Sequence, residues 1–338
     1  MPITIVVGAQ YGSEGKGKVA LNFAKLENAS AVVRVGGPNS GHTIIGDDGA
    51  PQVFRQLPTA AIIPNVVSIL PAGSYIDLTV LSREIETVGA TPATLAIDPR
   101  AVVISDNDRQ SETDIKSEIG STGSGTGAAL VRRLSRDGSS RSASEFDELR
   151  PFLADTISLQ RGLLADGRRI VIEGTQGFGL SPLHGGHGKF STSRDTTAAG
   201  FLSEAGMSPL DVDNIVLVAR AFPIRVAGNS GPLEYETTWD LVARSAGQPD
   251  LKEFTTVTQR LRRVGEFDPT IVSRSILANA PSTFVMNHVD YIGDPHTDAG
   301  IAQIESFLTD TERSLGLDIN YVGMDRVGIV VRTHARRR

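Results

Sequence analysis

Cysteine is absent from the chain, which excludes disulfides, thiolate metal sites and cysteine nucleophiles while assigning no compartment. No apolar run reaches membrane-spanning length, and the first β-branched run starts by residue 3, leaving no room for a secretory leader. The expectation is a cytoplasmic protein with no membrane partner. An excess of basic charge is missing too: the net charge is -6, which argues against a surface that coats nucleic acid. The arginines that do cluster, Arg132, Arg133 and Arg136 and then Arg260, Arg262 and Arg263, suit small anions or a solvated helix face. The single tryptophan, Trp239, reads as core packing. With 40% apolar residues in 338, the chain can bury a large core, and no linker or internal repeat divides it. A single domain over 1–338 is expected.

What the sequence does contain is a glycine-rich loop, Gly8-Ala9-Gln10-Tyr11-Gly12-Ser13-Glu14-Gly15-Lys16-Gly17-Lys18. It follows an apolar run at 3–7 and precedes Val19, Phe23 and Leu26 at helical spacing, so it joins a buried strand to a helix. Backbone N–H groups and a positive helix end there make a phosphate cradle, with lysine supplying mobile charge. A strict P-loop places Ser or Thr after Gly15-Lys16 to bind magnesium, and this chain has Gly17, so magnesium must be held another way.

Further β-branched runs at 31–35, 66–70, 101–104, 170–172, 215–218, 283–286 and 327–331 alternate with helical patterns at 78–88, 146–164 and 269–278. This order predicts an α/β, P-loop-like fold with a mainly parallel central sheet flanked by helices and ligands at the carboxyl ends of the strands. Two polar stretches, 106–127 and 174–200, are too rich in Gly, Ser, Thr and His to build a core and read as inserted functional loops.

The second strand runs into Arg34-Val35-Gly36-Gly37-Pro38-Asn39-Ser40-Gly41-His42-Thr43. His42 there is placed to act as a general acid, or alone as a structural hydrogen-bonding residue. Taken with the first loop, the pattern resembles the adenylosuccinate synthetase family, whose Gly-Asp-Glu-Gly-Lys-Gly-Lys loop and Asn-Ala-Gly-His-Thr segment read here Gly-Ser-Glu-Gly-Lys-Gly-Lys and Asn-Ser-Gly-His-Thr. The resemblance continues through Gly120-Ser121-Thr122-Gly123, Glu173-Gly174-Thr175-Gln176-Gly177, Asp195-Thr196-Thr197-Ala198, the arginine loop 258–265 and Gly323-Met324-Asp325-Arg326, essentially the whole chain.

The resemblance implies a ligase that phosphorylates the 6-oxygen of a purine nucleotide, turning a poor leaving group into a good one before the aspartate amine displaces it. It implies catalytic roles for Ser13, Lys16, His42 and Gln176. The triphosphate would lie on Gly12, Ser13, Glu14, Gly15, Lys16, Gly17, Gly41, His42 and Thr43, with Asn287, Asp290 and Gly323 at its base. Ser13, Asn39, Ser121, Thr122, Gln176 and Thr192 would hold the monophosphate, with Arg136 reaching into the site of a homodimeric partner. Thr258, Arg260 and Arg262 would grip L-aspartate, and Mg2+ would sit at Ser13 and the Gly41 carbonyl.

Two departures matter. Ser13 stands where the family carries an aspartate that accepts the purine N1 proton and binds magnesium, and an unactivated hydroxyl is a very weak base. Serine is smaller and uncharged, leaving space for a 2-amino group, which resembles the bacteriophage 2-aminoadenylosuccinate synthetase branch acting on dGMP. An ordinary enzyme using IMP and GTP is the alternative. Second, the family's guanine-reading Thr/Asn-Lys-x-Asp element is Asn287-His288-Val289-Asp290 here. Losing the lysine stem points with the phage branch to ATP or dATP, although Asp290 can still accept from guanine. If the chain is phage-encoded, its place is the host cytoplasm.

A GTPase-like switch is the rival from another class. It needs an Asp-x-x-Gly metal element between loop and base motif, and the candidates starting at Asp290 and Asp325 are misplaced. His184 and His187, without cysteine or a nearby carboxylate, make a weak zinc site; a mobile loop closing over the nucleotide is the preferred reading.

Overall fold

The computed structural model describes residues 2–46, 49–113, 118–255 and 259–333. Nine strands form the central sheet: β1 Ile3–Gly8, β2 Ala31–Arg34, β3 Val67–Leu70, β4 Leu95–Ile97, β5 Ile170–Glu173, β6 Val212–Arg220, β7 Thr283–Asn287, β8 Tyr321–Gly323 and β9 Val330–Val331. Their order across the sheet is β9-β8-β7-β6-β1-β5-β2-β3-β4. All neighbours are parallel except β8 and β9. Parallel strands need both faces covered, which is why β1, β2 and β5 are buried along their whole length. Side chains alternate between the faces: Ile3, Ile5 and Val7 join a core with Phe201, Phe284 and Leu308, while Val6 packs with Val19, Phe23 and Leu81.

The chain leaves β1 through helix α1, Lys16–Leu26, towards β2 on one side, and later crosses from β5 to β6 on the other. This reversal about β1 opens a crevice at the carboxyl edge. Apolar strands there end in polar residues: Arg34, Glu173, Arg220 and Asn287 close β2, β5, β6 and β7. Register sets them in pairs, Arg34 beside Glu173 and Arg220 beside Asn287.

Several local expectations are corrected. Val102–Val103, expected in the main sheet, instead pairs with Tyr75–Ile76 in a separate two-stranded ladder. The 146–164 helix is interrupted: a 3-10 turn Asp147–Phe152 contains Pro151, and a new helix Thr156–Ala165 begins at Asp155, whose carboxylate accepts from Ser158 N. The polar stretch 106–127 is not all loop, since Ser105 and Asp108 form a capping box that starts helix Asp106–Ser111. No described helix is long and apolar enough to cross a membrane.

Candidate active site

The glycine-rich loop turns tightly after β1, with φ of 91° at Gly12, 59° at Ser13 and 88° at Gly15. Glu14 folds beneath it, fully buried. One carboxylate oxygen accepts from Gln10 N (3.1 Å) and Gly12 N (2.8 Å), and the other from Lys16 Nζ (2.6 Å). Asn287, at the end of β7, donates Nδ2 to the Glu14 carbonyl at 2.7 Å. A β-carbon at Gly15 would lie 2.7 Å from that amide, and one at Gly17 only 2.6 Å from His42 Cβ. The hydroxyl of a strict P-loop is therefore excluded at position 17 because His42 packs there.

His42 is held by groups from three other segments. Its Nδ1 lies 2.6 Å from Glu173 Oε1, which also accepts from Arg34 Nη1 at 2.5 Å. Glu173 Oε2 accepts from Thr59 N (2.8 Å) and Thr59 Oγ1 (2.7 Å). Burial and the Arg34 charge push the imidazole pKa down to about 4, against the pull of Glu173. Burial alone would raise Glu173; bonds from His42 and the Arg34 charge outweigh it and hold the carboxylate below its usual range. Nδ1 is shared between an acceptor and a donor, since Arg34 Nη1 also lies 2.5 Å from it, and Nε2 is the nitrogen that no described residue bonds.

Ser13 is gripped by two arginines. Arg262 Nη1 donates to its hydroxyl at 2.7 Å and Arg220 Nη1 to its carbonyl at 2.9 Å. Arg220, wholly buried, pairs with Glu253, which also accepts from Tyr291 Oη at 3.1 Å. Although burial opposes it, Arg220 with His288 and Arg262 brings Glu253 down to about 2. Trp239 is core as expected and does more: its Nε1 donates to the Arg262 carbonyl at 2.7 Å, fixing the backbone that carries the guanidinium.

Of these groups Ser13, Lys16, His42, Glu253, Arg262 and Tyr291 line one cavity of about 1320 Å³, larger than the roughly 300–1,000 Å³ of a single-ligand pocket. Gly12, Ser13, Gly15, Lys16, Gly17, Asn39, Gly41, His42, Thr43, Ser121, Thr122, Gln176, Thr192, Arg260 and Arg262 all line it. The loop 174–200 contributes Gln176, Leu180 and 189–193 to its wall. Gln176 Oε1 and Asn39 Oδ1 are buried without hydrogen-bond partners, open acceptors of the kind a ligand satisfies. Glu14, Asn287, Asp290 and Gly323 lie behind the wall, not in it. The orphaned Oδ1 atoms of Asn287 and Asp290 are near Lys18, whose Nζ donates to the Asp325 carbonyl at 2.7 Å. Burial lowers Lys18 to about 8 and raises Asp290 to about 6. Arg136 is exposed at the end of helix Thr126–Ser135, away from this chain's cavity. Thr258 lies outside the described residues.

Arg34, Glu173, Arg220 and Glu253 escaped the sequence reading as site residues. For Arg34, Glu173 and Arg220 a lone charge closing an apolar strand was the available signal, but which strands are neighbours was not; Glu253 lies outside any strand and carried no such signal.

Among the described residues no cluster of three His, Cys, Asp or Glu side chains could hold a metal ion, and His184 instead stacks on Phe178 with ring centroids 6.5 Å apart. Magnesium that arrives on phosphates needs only one or two protein oxygens. The Gly41 carbonyl suits that role; Ser13 Oγ already accepts from Arg262, which would set a like charge beside a cation there.

The Adenylosuccinate synthetase family profile matches residues 5–144 and 139–297. Adenylosuccinate synthetase of Methanococcus aeolicus is 34% identical, over 95% of this chain and 96% of that protein; the Thermococcus onnurineus enzyme is 32% identical, over 95% of each. Among solved structures, cyanophage S-2L succinoaminodeoxyadenylate synthetase bound to dGMP and dATP superposes with a TM-score of 0.83 at 28% identity, covering 98% of this chain and 95% of that one. Plasmodium falciparum adenylosuccinate synthetase shares the fold, with a TM-score of 0.86 at 20% identity over 98% of this chain and 100% of that one. The chain belongs to the adenylosuccinate synthetase family, ligases that join a purine nucleotide to aspartate through a C–N bond.

Proposed function

We propose that this ligase couples L-aspartate to the 6-position of dGMP with hydrolysis of ATP or dATP, giving N6-succino-2-amino-2′-deoxyadenylate. The observation that carries the reading is Ser13: a small neutral side chain in the cavity wall, its hydroxyl engaged by Arg262, where the family places a carboxylate. A carboxylate suits a purine whose position 2 is bare; serine leaves room for an amino group there. The cyanophage enzyme bound to dGMP and dATP supports this choice. A second reading, IMP with GTP, is favoured by the naming of the curated relatives.

In the reaction N1 gives up its proton to solvent as the purine 6-oxygen takes the γ-phosphoryl group and the nucleoside diphosphate leaves; the neutral aspartate amine then bonds to C6, losing a proton to solvent, and inorganic phosphate departs. Lys16 stands over the transferring group and neutralises its charge. His42, its Nδ1 held between Glu173 and Arg34, presents Nε2 to the phosphoryl oxygens and donates to them in the tautomer that carries the proton there. Gln176 orients the base; Asn39, Ser121, Thr122 and Thr192 hold its phosphate; Arg260 and Arg262, with Thr258, take the aspartate carboxylates. Asp290, Asn287 and Gly323, behind the wall beside Lys18, are assigned to the triphosphate's base on the family resemblance alone. When bound, magnesium at Gly41 would offset charge on the triphosphate. The active form is a homodimer in which Arg136 completes the neighbouring site, and the reaction runs in the cytoplasm.

The test is turnover of dGMP against IMP by purified protein with magnesium, aspartate and ATP. Preference for dGMP is the expected result; turnover of IMP with negligible use of any guanine nucleotide removes it in favour of the second reading.

A further inference from the structure

Buried arginines in this protein face carboxylates: Arg34 meets Glu173, Arg194 meets Glu204, and Arg220 meets Glu253. Arg225 is 3% exposed and forms no ion pair among the described residues. Its Nη1 donates to the Ser230 carbonyl, while Nε and Nη2 are buried with no hydrogen-bond partner. The guanidinium carbon lies 4.1 Å above the ring of Tyr11, and a like charge, Arg263, acts on it. Burial lowers the pKa of Arg225 to about 10 and Arg263 adds to the effect, against the Tyr11 hydroxyl, which acts on the guanidinium through its charge and as a hydrogen-bonding neighbour. A buried cation with two donors unused is costly unless something anionic arrives to meet it.

The position says what arrives. Arg225 lines the main cavity between three segments. Tyr11 belongs to the first glycine-rich loop. The segment 226–230, held by the Ser230 bond, packs on the loop that carries Ser121 and Thr122: a β-carbon at Gly120 would lie 3.1 Å from the Ala227 carbonyl, and Asn229 Nδ2 donates to the Glu118 carbonyl at 3.2 Å. On the third side, the site of a Gly231 β-carbon is 2.8 Å from both Arg225 Nη1 and Phe190 Cβ, and Phe190 leads to Thr192.

We propose that Arg225 receives an anionic oxygen of the substrate, at the phosphate end of the bound nucleoside monophosphate. This rests on the nucleotide-ligase reading above and adds a residue to it. Guanidinium suits the task because its planar donors meet phosphate oxygens in pairs.

The experiment is calorimetric titration of the wild type, Arg225→Met and Arg225→Lys with dGMP, IMP and L-aspartate, beside melting of each unliganded protein. In Arg225→Met the unliganded protein melts at or above the wild-type temperature, because the unpaired charge is gone, while nucleotide dissociation constants rise about tenfold or more. Arg225→Lys retains part of the affinity. A purely structural arginine would lower the melting temperature instead. Nucleotide affinity within about twofold of wild type in both variants overturns the proposal, as does weakening confined to aspartate. If Arg225→Met melts far lower, Arg225→Lys decides by the same criterion. Preference for IMP in wild type and variants alike would sink the dGMP reading while leaving the test of Arg225 intact.

Discussion

At residue 13 one hydroxyl joins two choices. Arg262 donates to it, and Arg262 is also a proposed aspartate ligand, so a charge at position 13 would act on both substrates. In Ser13→Asp the new carboxylate crowds the 2-amino group and pairs with Arg262, drawing it away from aspartate. Steady-state kinetics should show dGMP use falling relative to IMP and the KM for aspartate rising by roughly tenfold; unchanged values for both would place discrimination elsewhere. Asp290 carries a different signature. Its pKa is raised from 3.8 to about 6 by burial, so the folded state favours the protonated acid. That contribution to stability is fully present below pH 3.8 and is lost as pH rises through 6; above that the ionised group is a liability. Asp290→Asn should therefore stabilise the unliganded protein at pH 7–8 by on the order of 2 kcal/mol, discounted for its partial exposure, with the gain vanishing near pH 4. Triphosphate affinity should fall in the same variant, which melting curves with and without nucleotide would reveal.

At the scale of elements, the contact between α1 and the strand that begins at His42 explains a feature the sequence left odd. Gly17→Ser would restore a strict P-loop pattern, yet its Cβ would sit 2.6 Å from His42 Cβ and 2.9 Å from Thr59 Cγ2. Overpacking there should cost about 1–3 kcal/mol and lower kcat by displacing His42; a variant with wild-type melting and turnover would show that α1 yields instead. The contiguous signals were legible: the glycine-rich loop, the Asn39–Thr43 run and the parallel character of the sheet follow from short β-branched runs separated by helices. Three-residue strands such as Leu95–Ile97 and Tyr321–Gly323 were missed because so few residues carry no period of their own. The run at 101–104 has the composition of a core strand and was assigned to the wrong sheet, since pairing is decided by neighbours distant in sequence. The same limit hid the support of His42. Arg34 and Glu173 are 139 residues apart, and only the register of β2 against β5 makes them one unit.

The whole molecule poses a question a single chain does not answer alone. Arg136 is exposed and does not line its own cavity; it follows a helix whose Val131 and Leu134 are 68% and 66% exposed. An apolar face one turn long beside an exposed arginine fits a two-fold contact in which each copy lends the same residue to the other. Under this arrangement Arg136→Leu and His42→Asn damage different parts of one composite site. Each variant alone should be nearly inactive. Mixed in equal amounts and allowed to exchange, half of the dimers are heterodimers, and each of these holds one site with an intact His42 and an Arg136 from its neighbour, so about a quarter of wild-type activity should return. Activity that stays at the level of the separate variants, with exchange verified by light scattering of size-tagged protomers, would assign Arg136 to the surface of its own subunit.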